Sequence, residues 1–152
     1  MGMIRHAPTI LIIDDDPADQ FLVQEAMKTS SVNYNLRLVS DGDEAIEYLY
    51  HRGRYRDQVV APRPDLILLD LNMPRFDGRQ VAKTIKGDPT LRSIPIVVLT
   101  TSSQAEDVDD LYQLGVNSYL QKPVNFDDFT AALRDLSAYW LERAALPPHQ
   151  GR

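Results

Sequence analysis

The stretch Pro64-Asp65-Leu66-Ile67-Leu68-Leu69-Asp70-Leu71-Asn72-Met73-Pro74 decides the fold. Leu66 to Leu69 and Leu71 surround one carboxylate, Asp70. A short unbroken apolar run reads as a strand buried on both faces, the kind found in parallel sheets. Met73-Pro74 ends the pairing, because proline has no N–H for the ladder. Asp70 then stands at the carboxyl end of a central strand, the edge at which open α/β sheets bind ligands. Desolvating an unpaired charge is expensive. Asp70 therefore either caps the next turn or has a cationic partner or a chemical role, and the rest of the chain decides between them.

Upstream, Thr9 to Ile13 is a β-branched apolar run that ends in Asp14, Asp15 and Asp16, followed by Pro17. Aspartate is a good helix N-cap and proline suits the first helical position. A helix is predicted from about Pro17 to Lys28, with Phe21, Leu22 and Met27 facing inward. One cap accounts for one of the three acids and leaves two. Asn35 to Val39 alternates as a less buried strand. Ser40-Asp41-Gly42 is a turn with a capping residue, and the next helix carries Ala45, Ile46, Leu49 and Tyr50. His51 to Arg63 is basic and polar and reads as a helix tail plus an exposed loop.

Downstream, a loop from Asn72 to Gly78 leads to a helix over about Arg79 to Lys86, stopped by Gly87-Asp88-Pro89. Gly78 is expected where an unusual backbone angle or a close approach is needed. Ile94 to Leu99 is another buried strand, ending in Thr100, Thr101, Ser102 and Ser103. Gln104 to Leu114 is helical and Gly115 ends it. Asn117 to Leu120 is a short strand followed by Gln121-Lys122-Pro123. A last helix covers about Asn125 to Ala144, with Phe126, Phe129, Leu133, Leu136 and Trp140 as its core stripe. Strands alternating with helices in this way imply an α/β fold, a doubly wound five-stranded parallel sheet. The expected divisions are an N-terminal extension over 1–8, one domain over 9–144 and a tail over 145–152.

The chain of 152 residues suits one domain with a full core. It has no cysteine, which excludes disulfides and thiolate metal sites. A net charge of −6 argues against nucleic-acid binding, which needs a basic face. No apolar run approaches a membrane span, and Met1 to His6 lacks the apolar centre of a signal peptide, so a cytoplasmic location is expected.

In this topology the carboxyl edge of the sheet gathers Asp14, Asp15, Asp70, Thr100 and Lys122. Any one of them alone could be a cap, a loop hydroxyl or a surface residue. Their shared place on separate strands is the signal. Three carboxylates need a cation, and oxygen-only ligands select a hard ion such as Mg²⁺ or Mn²⁺. Lys122 is a compact cation that can reach a phosphoryl group, and Thr100 offers a hydroxyl. A carboxylate so surrounded can act as a nucleophile at phosphorus and form an aspartyl phosphate.

Ile12-Ile13-Asp14-Asp15, Leu68 to Pro74 with Gly78, Val98-Leu99-Thr100 and Tyr119-Leu120-Gln121-Lys122-Pro123 closely resemble the receiver domain of two-component response regulators, over about residues 9 to 140. The resemblance implies a flavodoxin-like receiver sandwich that signals rather than catalyses. It implies that Asp70 accepts a phosphoryl group from the phosphohistidine of a partner histidine kinase. Asp15, Asp70 and the backbone carbonyl of Asn72 would ligate Mg²⁺, with Asp14 acting through a metal-bound water. Thr100 would move to the phosphoryl group, Tyr119 would follow it inward, and Lys122 would pair with it. The Lys122-Pro123 bond is expected to be cis. Thr101 stands where many receivers carry a smaller residue, which bears on how fast the phosphate is lost.

A narrower resemblance, to single-domain regulators of phytochrome-type histidine kinases, lies in Pro17-Ala18-Asp19, the basic loop before Pro64, Ser118-Tyr119-Leu120, and Ala138-Tyr139-Trp140 with Leu146-Pro147. Tyr139, Leu141 and Leu146 fall off the core stripe and suggest a homodimer contact. The family's usual dimer surface is the face of the fourth helix, fifth strand and fifth helix.

Two rival readings fit less well. An aspartate-nucleophile phosphohydrolase needs a second carboxylate two residues after the nucleophile, and Asn72 cannot serve as acid or base. A flavodoxin-like nucleotide binder needs a Gly- or hydroxyl-rich phosphate loop where Asp14 to Asp16 stand. His6, His51 and His149 are scattered and expected to be exposed.

Overall fold

The computed structural model describes residues 7–101 and 105–148. Ser102, Ser103 and Gln104, His6 and His149, and most of the two terminal extensions lie outside the described residues. The elements are β1 (Thr9–Ile13), α1 (Pro17–Met27), β2 (Asn35–Val39), α2 (Gly42–Leu49), β3 (Leu66–Asp70), α3 (Gly78–Gly87), β4 (Ile96–Thr100), α4 (Ala105–Leu114), β5 (Ser118–Gln121) and α5 (Phe126–Ser137). A 3₁₀ turn occupies Gly53–Tyr55, and a π-helical segment, Ala138–Arg143, continues α5.

All five strands pair in parallel in the order β2-β1-β3-β4-β5. The direction of winding reverses between β1 and β3, where such sheets open a crevice beyond their carboxyl ends. Alternate strand residues face opposite layers. Leu11, Ile13, Ile67, Leu69, Ile96 and Val98 pack with α2, α3 and α4 residues such as Ala45, Val81, Ile85 and Leu111. Ile10, Ile12, Leu66, Leu68, Val97 and Leu99 pack with Val23, Ala26 and Met27 of α1 and Phe129 and Leu133 of α5. Both faces are covered, which is why β1, β3 and β4 are apolar at nearly every position.

The starts of α1, α2, α3 and α5 are each closed by a side chain. Asp16 accepts from Ala18 N at 2.9 Å, Asp41 from Glu44 N at 2.7 Å and Asn125 from Asp127 N at 2.8 Å. Asp77 and Gln80 form a reciprocal capping box at α3. Asp16 is thus the cap among the three acids, and Asp14 and Asp15 remain for other work.

Five expectations are corrected. Phe21 is 60% exposed, and α1 instead buries Val23, Ala26 and Met27, the i, i+3, i+4 stripe set once Pro17 fixes the helix start. In the last helix Phe126 is also exposed, while Phe129, Leu133, Ser137 and Leu141 form the buried line. The wider turn, in which Ala144 N donates to Tyr139 O, carries Leu141 round onto the core. Leu141 is only 8% exposed and is not free for a partner chain. Every peptide bond among the described residues is trans, Lys122-Pro123 included, in place of the expected cis bond. Trans is the lower-energy form of an X–Pro bond by about 0.5–1 kcal/mol. His51, expected to be exposed, is half-buried with its ring Nε2 2.8 Å from the Ala61 carbonyl.

Gly78 marks a close approach. A Cβ there would overlap the Asp70 carbonyl oxygen and lie 2.7 Å from Leu71 Cα. The obstacle is backbone and cannot rotate away. Gly78→Ala is expected to destabilise the domain by about 1–3 kcal/mol, read as a lower urea midpoint with an unchanged slope.

Candidate functional site

Register builds the site. Ile13 pairs with Leu69, so Asp14 and Asp70 come level at the ends of β1 and β3. Asp14 N donates to Val39 O at 3.1 Å, which extends the β1–β2 ladder by one residue. On the other side Thr100 pairs with Gln121, and Lys122 N donates to Thr100 O at 2.6 Å. That bond carries the Lys122 side chain over the crevice. Its Nζ lies 2.6 Å from Asp19 Oδ2, 3.4 Å from Asp14 Oδ2 and 3.7 Å from Asp70 Oδ1.

Asp14 and Asp70 are buried and Asp15 is exposed. One carboxylate oxygen from each of the three lies within 4.8 Å of the others. The set is wholly oxygen, and hard divalent cations select such ligands. Two of the carboxylates are out of water and one faces it, leaving an open side for bound water or a further ligand. The residues fit a divalent cation.

Charge in the crevice is only partly neutralised. Burial pushes the Asp14 carboxyl up to about 7, although Lys122 and the Asp16 N–H pull the other way. Burial likewise raises Asp70, against the pull of Lys122 and the Asn72 N–H. For Lys122 burial disfavours the charge, but Asp19, Asp14 and Asp70 together outweigh it and raise its pKa. One ammonium thus faces more carboxylates than it can balance, the condition under which a cation is taken up.

Thr100 is fully buried, and its hydroxyl accepts from Asn72 Nδ2 at 3.0 Å. The same amide reaches Thr101 Oγ1 at 3.4 Å. Asn72 N lies 3.3 Å from Asp70 Oδ1. The expected site residues Asp14, Asp15, Asp70, Asn72, Thr100 and Lys122 are therefore brought together. Tyr119 is not among the carboxylates; it is half-buried against the α2–α4 layer, and its N–H donates to Tyr112 Oη at 3.1 Å. Tyr139 is 56% exposed and stacks edge-on against Trp140, and Leu146 is half-buried, both away from the carboxylates.

Two participants were missed in the sequence. Asp19 takes the shortest bond to Lys122, and the Asn72 side chain tethers Thr100. Asp19 lies in the first turn of α1, where an acid is expected for the helix dipole alone, so only its distance to Lys122 separates the two roles.

The raised Asp14 pKa has a defined consequence for stability. The folded state holds a proton that the unfolded state releases near 3.8, so metal-free stability falls as pH rises from about 4 to about 7. Mg²⁺ should oppose that loss. Melting temperatures in EDTA across this window are expected to show the decline in the native chain and a shallower one in Asp14→Asn; equal slopes would remove Asp14 as the cause.

The family model described as the response regulator receiver domain matches residues 10–134. Response regulator Rcp1 of Synechocystis sp. is 45% identical over 138 residues, which are 91% of this chain and 92% of that protein. The solved structure of the Mn²⁺-bound form of Rcp1 superposes with a TM-score of 0.88 at 44% identity, covering 93% of this chain and 99% of that one. The phosphorylated cyanobacterial phytochrome response regulator RcpA gives 0.88 at 43% identity, covering 94% and 100%. With its parallel sheet, its acidic crevice at the winding reversal and this extent of similarity, the chain belongs to the response regulator receiver family.

Proposed function

We propose that the chain is a phosphorylation-operated signalling receiver with Asp70 as phosphoacceptor, its receiver domain spanning 9–144. The carrying observation is Asp14, Asp15 and Asp70 gathered within 4.8 Å beside the nearly buried Lys122. A carboxylate oxygen of Asp70 attacks the phosphorus of a phosphohistidine on a histidine kinase. The O–P bond forms as the P–N bond breaks, and the imidazole leaves with the P–N electron pair once its ring carries a proton. Asp15, Asp70 and the Asn72 carbonyl would hold Mg²⁺, with Asp14 reaching it through a water. Bound there, the ion offsets the charge of the transferring group. Lys122 pairs with the phosphoryl oxygens, and Thr100 donates its hydroxyl after leaving Asn72. Tyr119 then follows Thr100 inward and alters the surface that partners read.

Asn72 argues for signalling over hydrolysis, since its amide cannot donate or remove the proton a phosphohydrolase needs. The similarity to a regulator described as a phytochrome response regulator, over nearly the whole of both chains, supports a phytochrome-type histidine kinase as phosphodonor. The net charge of −6 disfavours nucleic acid as a partner. No helix among the described residues is long and apolar enough to cross a membrane, in keeping with work in the cytoplasm. A homodimer through α4, β5, α5 and the tail would use Tyr139 and Leu146, with Leu141 supporting them from the core.

Intact-mass measurement after incubation with acetyl phosphate and Mg²⁺ should find one added phosphoryl group, none when EDTA is present throughout, and none in Asp70→Asn. Equal modification of the variant would remove Asp70 as the acceptor. For the dimer, Tyr139→Ala should shift sedimentation toward monomer while phosphorylation persists; an unchanged distribution would count against this surface.

A further inference from the structure

Asp19 has no assigned part in the chemistry above, yet among the described residues it holds Lys122 more closely than any other carboxylate does. It is the third residue of α1, after Pro17 and Ala18, and Asp16 caps the helix before it. Lys122 Nζ donates to Asp19 Oδ2 at 2.6 Å, against 3.4 Å to Asp14 and 3.7 Å to Asp70. The last distance is beyond a hydrogen bond. Both ends of the Lys122–Asp19 pair are largely covered, at 9% and 19% side-chain exposure. Charge-assisted bonds of this length are among the strong ones.

We infer that Asp19 is a positioning residue that holds the Lys122 ammonium on the α1 side of the crevice and so limits how far that cation is available to a phosphoryl group on Asp70. The inference rests on the proposed roles of Asp70 and Lys122.

Two physical effects of Asp19 act in the same direction on an incoming anion. Its carboxylate repels a phosphoryl group, and it competes for the ammonium that would neutralise that group. On a divalent cation among Asp14, Asp15 and Asp70 both effects reverse. Asp19 attracts the cation, and by drawing Lys122 toward α1 it keeps a positive charge from approaching it. Asp19 therefore shifts the balance of the empty crevice toward cation binding and away from the phosphorylated form. A carboxylate that merely braced α1 would have no such opposed effects.

The test is Asp19→Asn, which keeps shape and removes charge, with Asp19→Glu restoring the charge. Mg²⁺ affinity is measured by calorimetry. Affinity for beryllium fluoride, a phosphoryl stand-in on the acceptor carboxylate, is measured with Mg²⁺ near saturation. One largely covered ion pair supports an expected change of about fivefold tighter beryllium fluoride and about twofold weaker Mg²⁺ in Asp19→Asn. Asp19→Glu should return both toward the native values. Loss of both affinities together, or no change in either while the native chain still loads beryllium fluoride, overturns the role of Asp19 and leaves the acceptor intact. A native chain that takes neither beryllium fluoride nor a phosphoryl group from acetyl phosphate overturns the acceptor reading and this inference with it.

Discussion

Asp14 and Asp70 lie buried side by side where the winding of the sheet reverses, and one ammonium, Lys122, reaches toward them from β5. Burying two carboxylates with one cation is unfavourable unless something further enters. The parallel sheet makes the juxtaposition unavoidable. The pairing of Ile13 with Leu69 puts the residues that follow them level, and both strands are fixed by apolar layers on each side. The energy of the core thus holds together charges that would separate in water. The raised carboxyl pKa values express the same conflict, as does the fit of the crevice to a divalent ion.

The surroundings keep that arrangement narrow. Gly78 lets the start of α3 lie directly against the end of β3, and the Asp77–Gln80 box fixes where α3 begins. Asn72, two residues after Asp70, ties its amide to the Thr100 hydroxyl on β4. The resting state therefore has its threonine held by an asparagine and its lysine held by Asp19. Under the proposed mechanism both groups turn to a phosphoryl group, and the energy of those two contacts then helps set the balance between the resting and phosphorylated forms. Tyr119 stands one strand position before Leu120 on the α4 side, packed against that core layer.

Much of this was legible in the residues. The apolar runs of β1, β3 and β4 signalled strands covered on both faces, and the alternation of β2 a less buried one, found at the edge, because side-chain direction in a strand is set locally. The acids after Ile13, the aspartate after Leu69, the threonine after Leu99 and the lysine after Gln121 could be placed on one edge for the same reason. Helix faces were less legible. Phe21 and Phe126 were expected inside and are exposed, and Leu141 was expected outside and is buried. A helical stripe depends on where the helix starts and on its pitch, and the π-helical segment changes that pitch at Ala138.

By itself, then, the sequence determined the layer order, the strand ends and the chemical types at the carboxyl edge, since each follows from local patterning and from the period of a strand. Only the tertiary structure decided which carboxylate the lysine bonds most closely. Asp14, Asp19 and Asp70 are all within reach of Lys122, at 3.4, 2.6 and 3.7 Å from its Nζ, and the choice among them turns on the separation between α1 and the ends of the strands. The packing of α1 and α5 against the sheet sets that separation, and no residue pattern within either helix encodes it.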